Sequence, residues 1–379
     1  MAALSLMLAG SLAGQAPATN ASAGTDCPAA FRPFSTNTSL LDILLSPEAT
    51  AVVNKDLPDF LPKLPPILKI PKPPTLADVL TIKVVGSVFA SIPQATLDQL
   101  DKDLAAIPVT RETALARCAR YDHIPPTLPA SIPHPAILVF SKSNGFRDGP
   151  SVEAGLAMLK DFGASEHWNM VFIDNAAVFN APDLKRFDAV VWNNVSGDVL
   201  TIPQRKDFKT YVENGGGFAA FHGSGGDPYC DWDWYADTLL GANFWTHPMS
   251  PQFQAAKVRI DDKKDAIVQG LPAEWTMTDE WYSFRNNPRA KGAHVLATLD
   301  ETTYKPISGM GVTIDISMGD HPIAWTQCIN NGRSFYTAIG HRPESYIEPN
   351  ARQLMKQGVA WAAGLGHSTC SSGHEVAKN

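Results

Sequence analysis

Gly215-Gly216-Gly217-Phe218-Ala219-Ala220-Phe221-His222-Gly223-Ser224-Gly225-Gly226 is the stretch whose reading decides the fold. An amphipathic segment, 203–214, runs into three glycines, then a short apolar run, then a turn whose first polar side chain is His222. This order reads as a helix, a buried parallel strand and a glycine-rich loop at the strand's carboxyl end. Ligands of open α/β sheets bind at that end. A Cys or Ser at such a turn acts as a nucleophile. An imidazole there points instead to a metal ligand or an acid/base.

Working outward, residues 136–140, 170–173, 189–193 and 217–221 read as strands. Segments 150–162 and 203–214 read as helices, the second capped by Thr201. This alternation predicts a parallel sheet covered on both faces. Flavodoxin-like order is expected, with the site where the first, third and fourth strands end. Beyond it, 255–260, 294–299, 322–328 and 334–339 read as more antiparallel strands, the last two joined by a hairpin at Asn331-Gly332. A helix over 350–363 closes the domain. The fold class is therefore α/β: a flavodoxin-like, doubly wound, mostly parallel sheet with antiparallel additions, preceded by a small helical N-terminal region.

That region, 27–130, differs in character. Seven prolines between 58 and 74 predict an extended, polyproline-like strap. Helices are expected over 76–84, 94–105 and 111–121, then a proline-rich linker over 124–135. The region reads as a cap, an oligomerisation element (a homo-oligomer is open) or a wall of the substrate cleft. The expected organisation is 1–26 a signal peptide or disordered tail, 27–130 the N-terminal region with its linker, 131–366 the α/β domain, and 367–379 a disordered tail.

With 379 residues, 44% of them hydrophobic, the chain can bury a full core. A net charge of −7 argues against nucleic acid as a partner. No stretch after the N-terminus is apolar for the length of a membrane span, so no integral membrane segment is expected. Residues 2–14 are an apolar Ala/Leu run, followed by small-residue cleavage patterns at Ala16-Pro17-Ala18 and Ala21-Ser22-Ala23. They read as a signal peptide without a basic start, giving a periplasmic or secreted location; the alternative is a disordered Ala/Ser tail. Among five cysteines, Cys27 and Cys118 are placed to staple the N-terminal region in an oxidising compartment. Cys230, Cys328 and Cys370 lack the spacing of a cysteine zinc cluster. The odd count leaves at least one free thiol. Cys230 reads as structural, because Asp227, Asp231 and Asp233 would raise its thiol pKa.

An ordered series of short motifs spans 136–364. It holds Gly145-Phe146-Arg147, Phe187-Asp188-Ala189-Val190-Val191, Gly197-Asp198-Val199-Leu200 and Gly215-Gly216-Gly217-Phe218. It continues with Phe221-His222, His247-Pro248, Thr278-Asp279-Glu280-Trp281-Tyr282 and Asp320-His321-Pro322-Ile323-Ala324-Trp325. Gly332-Arg333-Ser334-Phe335-Tyr336-Thr337 and Gly340-His341 complete it. The series resembles the trehalose-utilisation (ThuA-like) family, a branch of the class I glutamine amidotransferase-like superfamily. The resemblance implies a flavodoxin-like fold and a role around sugar metabolism. One departure stands out: the family commonly has His after Gly-Phe-Arg, and here Asp148 follows.

His222, His247, Glu280 and His341 fall near predicted strand ends or loops inside these motifs. Three imidazoles and a carboxylate suit zinc, manganese or iron with an open position. The alternative is structural: His341 caps a strand end, His247 anchors a turn, and Glu280 pairs with Arg285 or Arg289. Asp279 beside Glu280 is a further catalytic candidate. Trp281, Tyr282, Trp245 and Trp325 are candidates for a sugar-stacking wall or for the core. Arg147, Asn194 and Asp198 lie on switch-point loops, where they bond substrate hydroxyls or simply serve the turns. His294 and His321 read as structural. No nucleophile elbow, phosphate-binding loop or dinucleotide fingerprint is present, so no nucleotide cofactor is expected. The expectation is an exported, divalent-metal-dependent enzyme that hydrolyses or isomerises a sugar or keto-sugar derivative. The alternatives are a non-catalytic carbohydrate-binding protein and, last, a hydrolase using Cys230.

Overall fold

Strands covered on both faces are apolar along their whole length. In the computed structural model β1 (Ala136–Phe140), β3 (Ala189–Asn193) and β4 (Gly217–Phe221) are buried at every position. The structure describes residues 24–89, 92–227, 231–309, 313–365 and 370. The signal-peptide expectation, Cys230 and most of the C-terminal tail lie outside those residues.

β2 (Asn169–Ile173), half-buried, forms one edge. The remaining strands are β5 (Phe244–Thr246), β6 (Phe253–Ile260), β7 (Glu274–Glu280), β8 (Ser283–Phe284) and β9 (His294–Asp300). They continue with β10 (Ile307–Ser308), β11 (Ile314–Asp315), β12 (Pro322–Ile329) and β13 (Gly332–Thr337). Among the described residues nine strands form one sheet, in the order β2-β1-β3-β4-β13-β12-β9-β6-β7. The first five run parallel, with β13 beside β4. This is the flavodoxin-like order with β13 as fifth strand, and the other four strands extend it antiparallel. The Asn330-Asn331 turn joins β12 and β13 as a hairpin. Helices Gly149–Glu166, Ile202–Glu213 and Pro349–Ala362 cover the sheet. Thr201 and Gln204 close the second helix's start with a reciprocal capping box.

The N-terminal region builds its own core from Leu40, Leu41, Ile43, Val53, Leu100 and Leu104. The expected proline strap is only partly extended: it holds a short helix, Phe60–Lys63, and a 3-10 turn, Pro66–Leu68. Proline is tolerated in a first helical turn, where its missing N–H has no partner to lose, and Phe60 and Leu61 are buried by the fold. The helix expected over 76–84 splits into Leu76–Val79 and Ile82–Phe89. Between them Leu80 accepts a backbone hydrogen bond from Leu40, and Thr81 bridges Ser39, which pulls the chain out of helix.

Cys27 and Cys118 form the anticipated disulfide. A second joins Cys328 to Cys370 and ties the chain after the last helix back to β12. Because the Cys27–Cys118 bridge spans 91 residues, replacing both cysteines by Ala is expected to lower stability by about 2–5 kcal/mol. Urea unfolding of the variant checks this. No helix among the described residues is long and apolar enough to cross a membrane.

Candidate metal centre

His222 follows β4 directly and takes a φ of +35°, a strained backbone for a residue with a Cβ. Its Nδ1–H donates to the Ala338 carbonyl at 2.7 Å. That bond fixes the tautomer and leaves the Nε2 lone pair aimed into the site. His341 enters just past β13, which the parallel pairing sets beside β4. Glu280 is the last residue of β7. Its neighbour Asp279 binds the two segments together, accepting from the backbone N–H of Gly340 at 2.8 Å and of His341 and Arg342 at 3.2 Å each. Ser345 Oγ donates to the same carboxylate at 2.7 Å.

Three donor atoms therefore meet. His222 Nε2 lies 3.1 Å from His341 Nδ1 and 3.3 Å from Glu280 Oε2, and the last two atoms are 3.0 Å apart. Donors sharing an ion at about 2.1 Å sit roughly 3.0–3.4 Å from one another at octahedral to tetrahedral angles. The triangle fits. It also needs a cation, since the His222 lone pair faces a carboxylate oxygen; a proton or a metal ion serves. Among the described residues this is the one His/Cys/Asp/Glu group whose ligand atoms converge this closely.

Charge follows geometry. Burial works to raise the Glu280 pKa, yet His222 and His341 hold it well below the usual carboxylate range. Burial works against the His341 cation, but Glu280 outweighs it and raises the His341 pKa. Protons therefore compete for the site, and metal affinity should rise with pH across the imidazole range.

His247 lies outside the triangle. Its Nδ1 is 3.2 Å from the other Glu280 oxygen, Oε1, and 2.9 Å from the Pro248 carbonyl. Glu280 Oε1 also accepts from Gln252 Nε2. Tyr282 leans over His222 with ring centroids 4.1 Å apart, and with Asn194 it lines the cleft. Asn194 is engaged there: its Nδ2 donates to the Tyr346 hydroxyl and its Oδ1 accepts from Gly223 N–H.

The other candidates are placed elsewhere. Asp279 is fully buried and serves the backbone, so it positions the loop rather than facing substrate. Trp281 and Trp325 are core: their indoles donate to the Gln254 and Leu240 carbonyls. Phe244 lines the cleft, while its neighbour Trp245 is half-buried and is not among the cleft-lining residues. Arg147 folds back to donate to the Ser141 carbonyl and lies 3.6 Å from Glu153. Asp198 pairs with Arg205 at 2.6 Å, facing a neighbouring cavity. Glu280 is paired with histidines, while Arg289 pairs with Asp261 and Asp320.

Two cleft carboxylates escaped the sequence reading. Asp148, noted only as a departure from the family pattern, lies 3.3 Å from His341 Nε2 and buttresses that imidazole. Asp227 accepts from Ser196 Oγ at 2.9 Å and from Gly197 N–H at 2.7 Å, and lines the same cleft. Burial pushes its pKa up to about 6. The folded chain thus holds this proton at pH values where the unfolded chain, with an Asp pKa near 3.9, releases it. Its contribution to stability is greatest below about pH 4 and declines as pH rises through about 6. Asp227→Asn should flatten the fall in unfolding free energy between those values, read from urea titrations at each pH.

A parallel sheet of flavodoxin-like order with a histidine–carboxylate triangle at the ends of β4, β7 and β13 defines the class. A family model described as trehalose utilisation, ThuA, matches residues 136–362. The chain belongs to the ThuA family. A ThuA-like protein from Bacteroides uniformis is similar in structure, at 23% identity and a TM-score of 0.53, over 62% of this chain and 94% of that one. Another, from Parabacteroides merdae, is 18% identical with a TM-score of 0.47, over 62% of this chain and 93% of that one. No curated protein matches the chain at a significant level.

Proposed function

We propose that this chain is a divalent-metal-dependent enzyme of carbohydrate metabolism that hydrolyses or isomerises a sugar or keto-sugar derivative. The observation that carries the reading is the triangle of His222, Glu280 and His341, with His222 locked in the tautomer that a ligand needs. It opens onto a cleft of about 320 Å³, and membership in a trehalose-utilisation family supports a carbohydrate as the occupant. His222, Glu280 and His341 would hold zinc, manganese or iron. A bound ion would polarise a carbonyl or vicinal hydroxyl pair, or acidify a water.

The chain's own groups do the rest. Asp148 orients His341 through Nε2. Tyr282 shields His222 from solvent on one face. Asp227, with its pKa near 6, takes up or releases a proton close to neutral pH. Two disulfides support a periplasmic or secreted location, because such bonds persist in oxidising compartments. The test is a screen of keto-sugars and glycosides with metal-loaded and chelated protein. Turnover by the loaded form alone is expected; equal turnover after chelation, or none with any of them, would overturn the reading.

A further inference from the structure

We infer that residues 75–80 of the N-terminal region form a fixed apolar wall of the cleft, which selects sugar derivatives carrying an apolar aglycone over free sugars. The inference rests on the carbohydrate reading above and names the substrate class within it.

The cleft's charged groups all come from one side, which also carries Phe244, Met249 and Tyr282, while the other side is purely apolar. His222, Glu280, His341, Asp148 and Asp227 supply polar groups from the α/β domain. Leu76, Val79 and Leu80 face them from the N-terminal region. Hydroxyls of a free sugar laid against those three side chains would lose water and gain no partner. An aryl or alkyl group would instead bury apolar surface there. Phe146, 42% exposed, adds a ring to the same cleft.

The wall is built in. Thr75 caps the helix Leu76–Val79, and its backbone N–H donates to the Asn144 carbonyl at 3.0 Å. Arg120, itself buried, lies 2.8 Å from Asp42 and 3.0 Å from Asp78. The opposing loops leave room for nothing more. A Cβ on Gly145 would come within 2.5 Å of Val79 Cγ1, and one on Gly197 within 2.4 Å of Asp78 Oδ2. The family match begins only at residue 136, so the wall is an addition of this chain to a cleft floor supplied by the family domain.

Calorimetric titration of the zinc-loaded full chain with methyl and phenyl glucopyranosides, both anomers, tests the inference. In the wild type the better phenyl glucoside should bind at least about tenfold tighter than its methyl counterpart. Leu80→Asn and Leu76→Asn, both at half-buried positions, should cut that preference to under about twofold with zinc content unchanged. Equal affinities in the wild type would overturn the inference without any variant. So would a preference that survives both substitutions, or no binding of any glucoside by protein that carries zinc. Failure to take up zinc is a separate result, read by elemental analysis, and counts against the metal reading instead.

Discussion

Glu280→Gln is expected to lower divalent-metal affinity by more than about 100-fold and to abolish turnover. Substituting a group that merely orients a ligand typically costs 10–100-fold, and here a ligand itself is lost. Gln keeps the shape and the contact to Gln252, so packing is preserved while the charge goes. Two imidazoles that Glu280 balances would then face each other with no anion between them. Competition titration with a chromophoric chelator reads the affinity directly. Retention of wild-type affinity would mean that the triangle is an ion-paired structural cluster.

Asp279→Ala is expected to cost about 4 kcal/mol in stability. The carboxylate accepts hydrogen bonds from the N–H groups of Gly340, His341 and Arg342 and from Ser345 Oγ, and Glu280 N–H also points to it. Removing it orphans those buried donors together, each at roughly 1–3 kcal/mol with partial relief by water. The segment that presents His341 would loosen, so metal affinity should fall too, although Asp279 touches no metal donor atom. Urea unfolding and the same chelator competition measure the two effects. A loss of stability under about 1 kcal/mol would show that the 340–345 loop is held by other contacts.

The parallel half of the fold was legible because its strands are buried on both faces. β3 and β4 fall on their apolar runs to within a residue at either end, and the following loops fall where a parallel sheet puts its ligands. β7 was not read as a strand. Its alternation fails at its end, where Asp279 and Glu280 are both buried, one to hold a loop and one to face the site. The identities of the three converging groups were readable, but not their meeting. It depends on β13 inserting beside β4 and on Asp279 clasping the 340–342 backbone, neither of which leaves a local signal. Trp281 misled because an aromatic beside polar motif residues looks the same in sequence whether it faces a cleft or the core. Leu76, Val79 and Leu80 looked like an ordinary helix face. That they line a cleft depends on docking across a boundary no periodicity records.

The measurement that bears most directly on the central claim is elemental analysis of untagged protein purified without chelator, as wild type and as His222→Ala. The account predicts close to one equivalent of zinc, manganese or iron in the wild type, lost in the variant. A wild type that holds none of these ions, even after soaking in each, would contradict it.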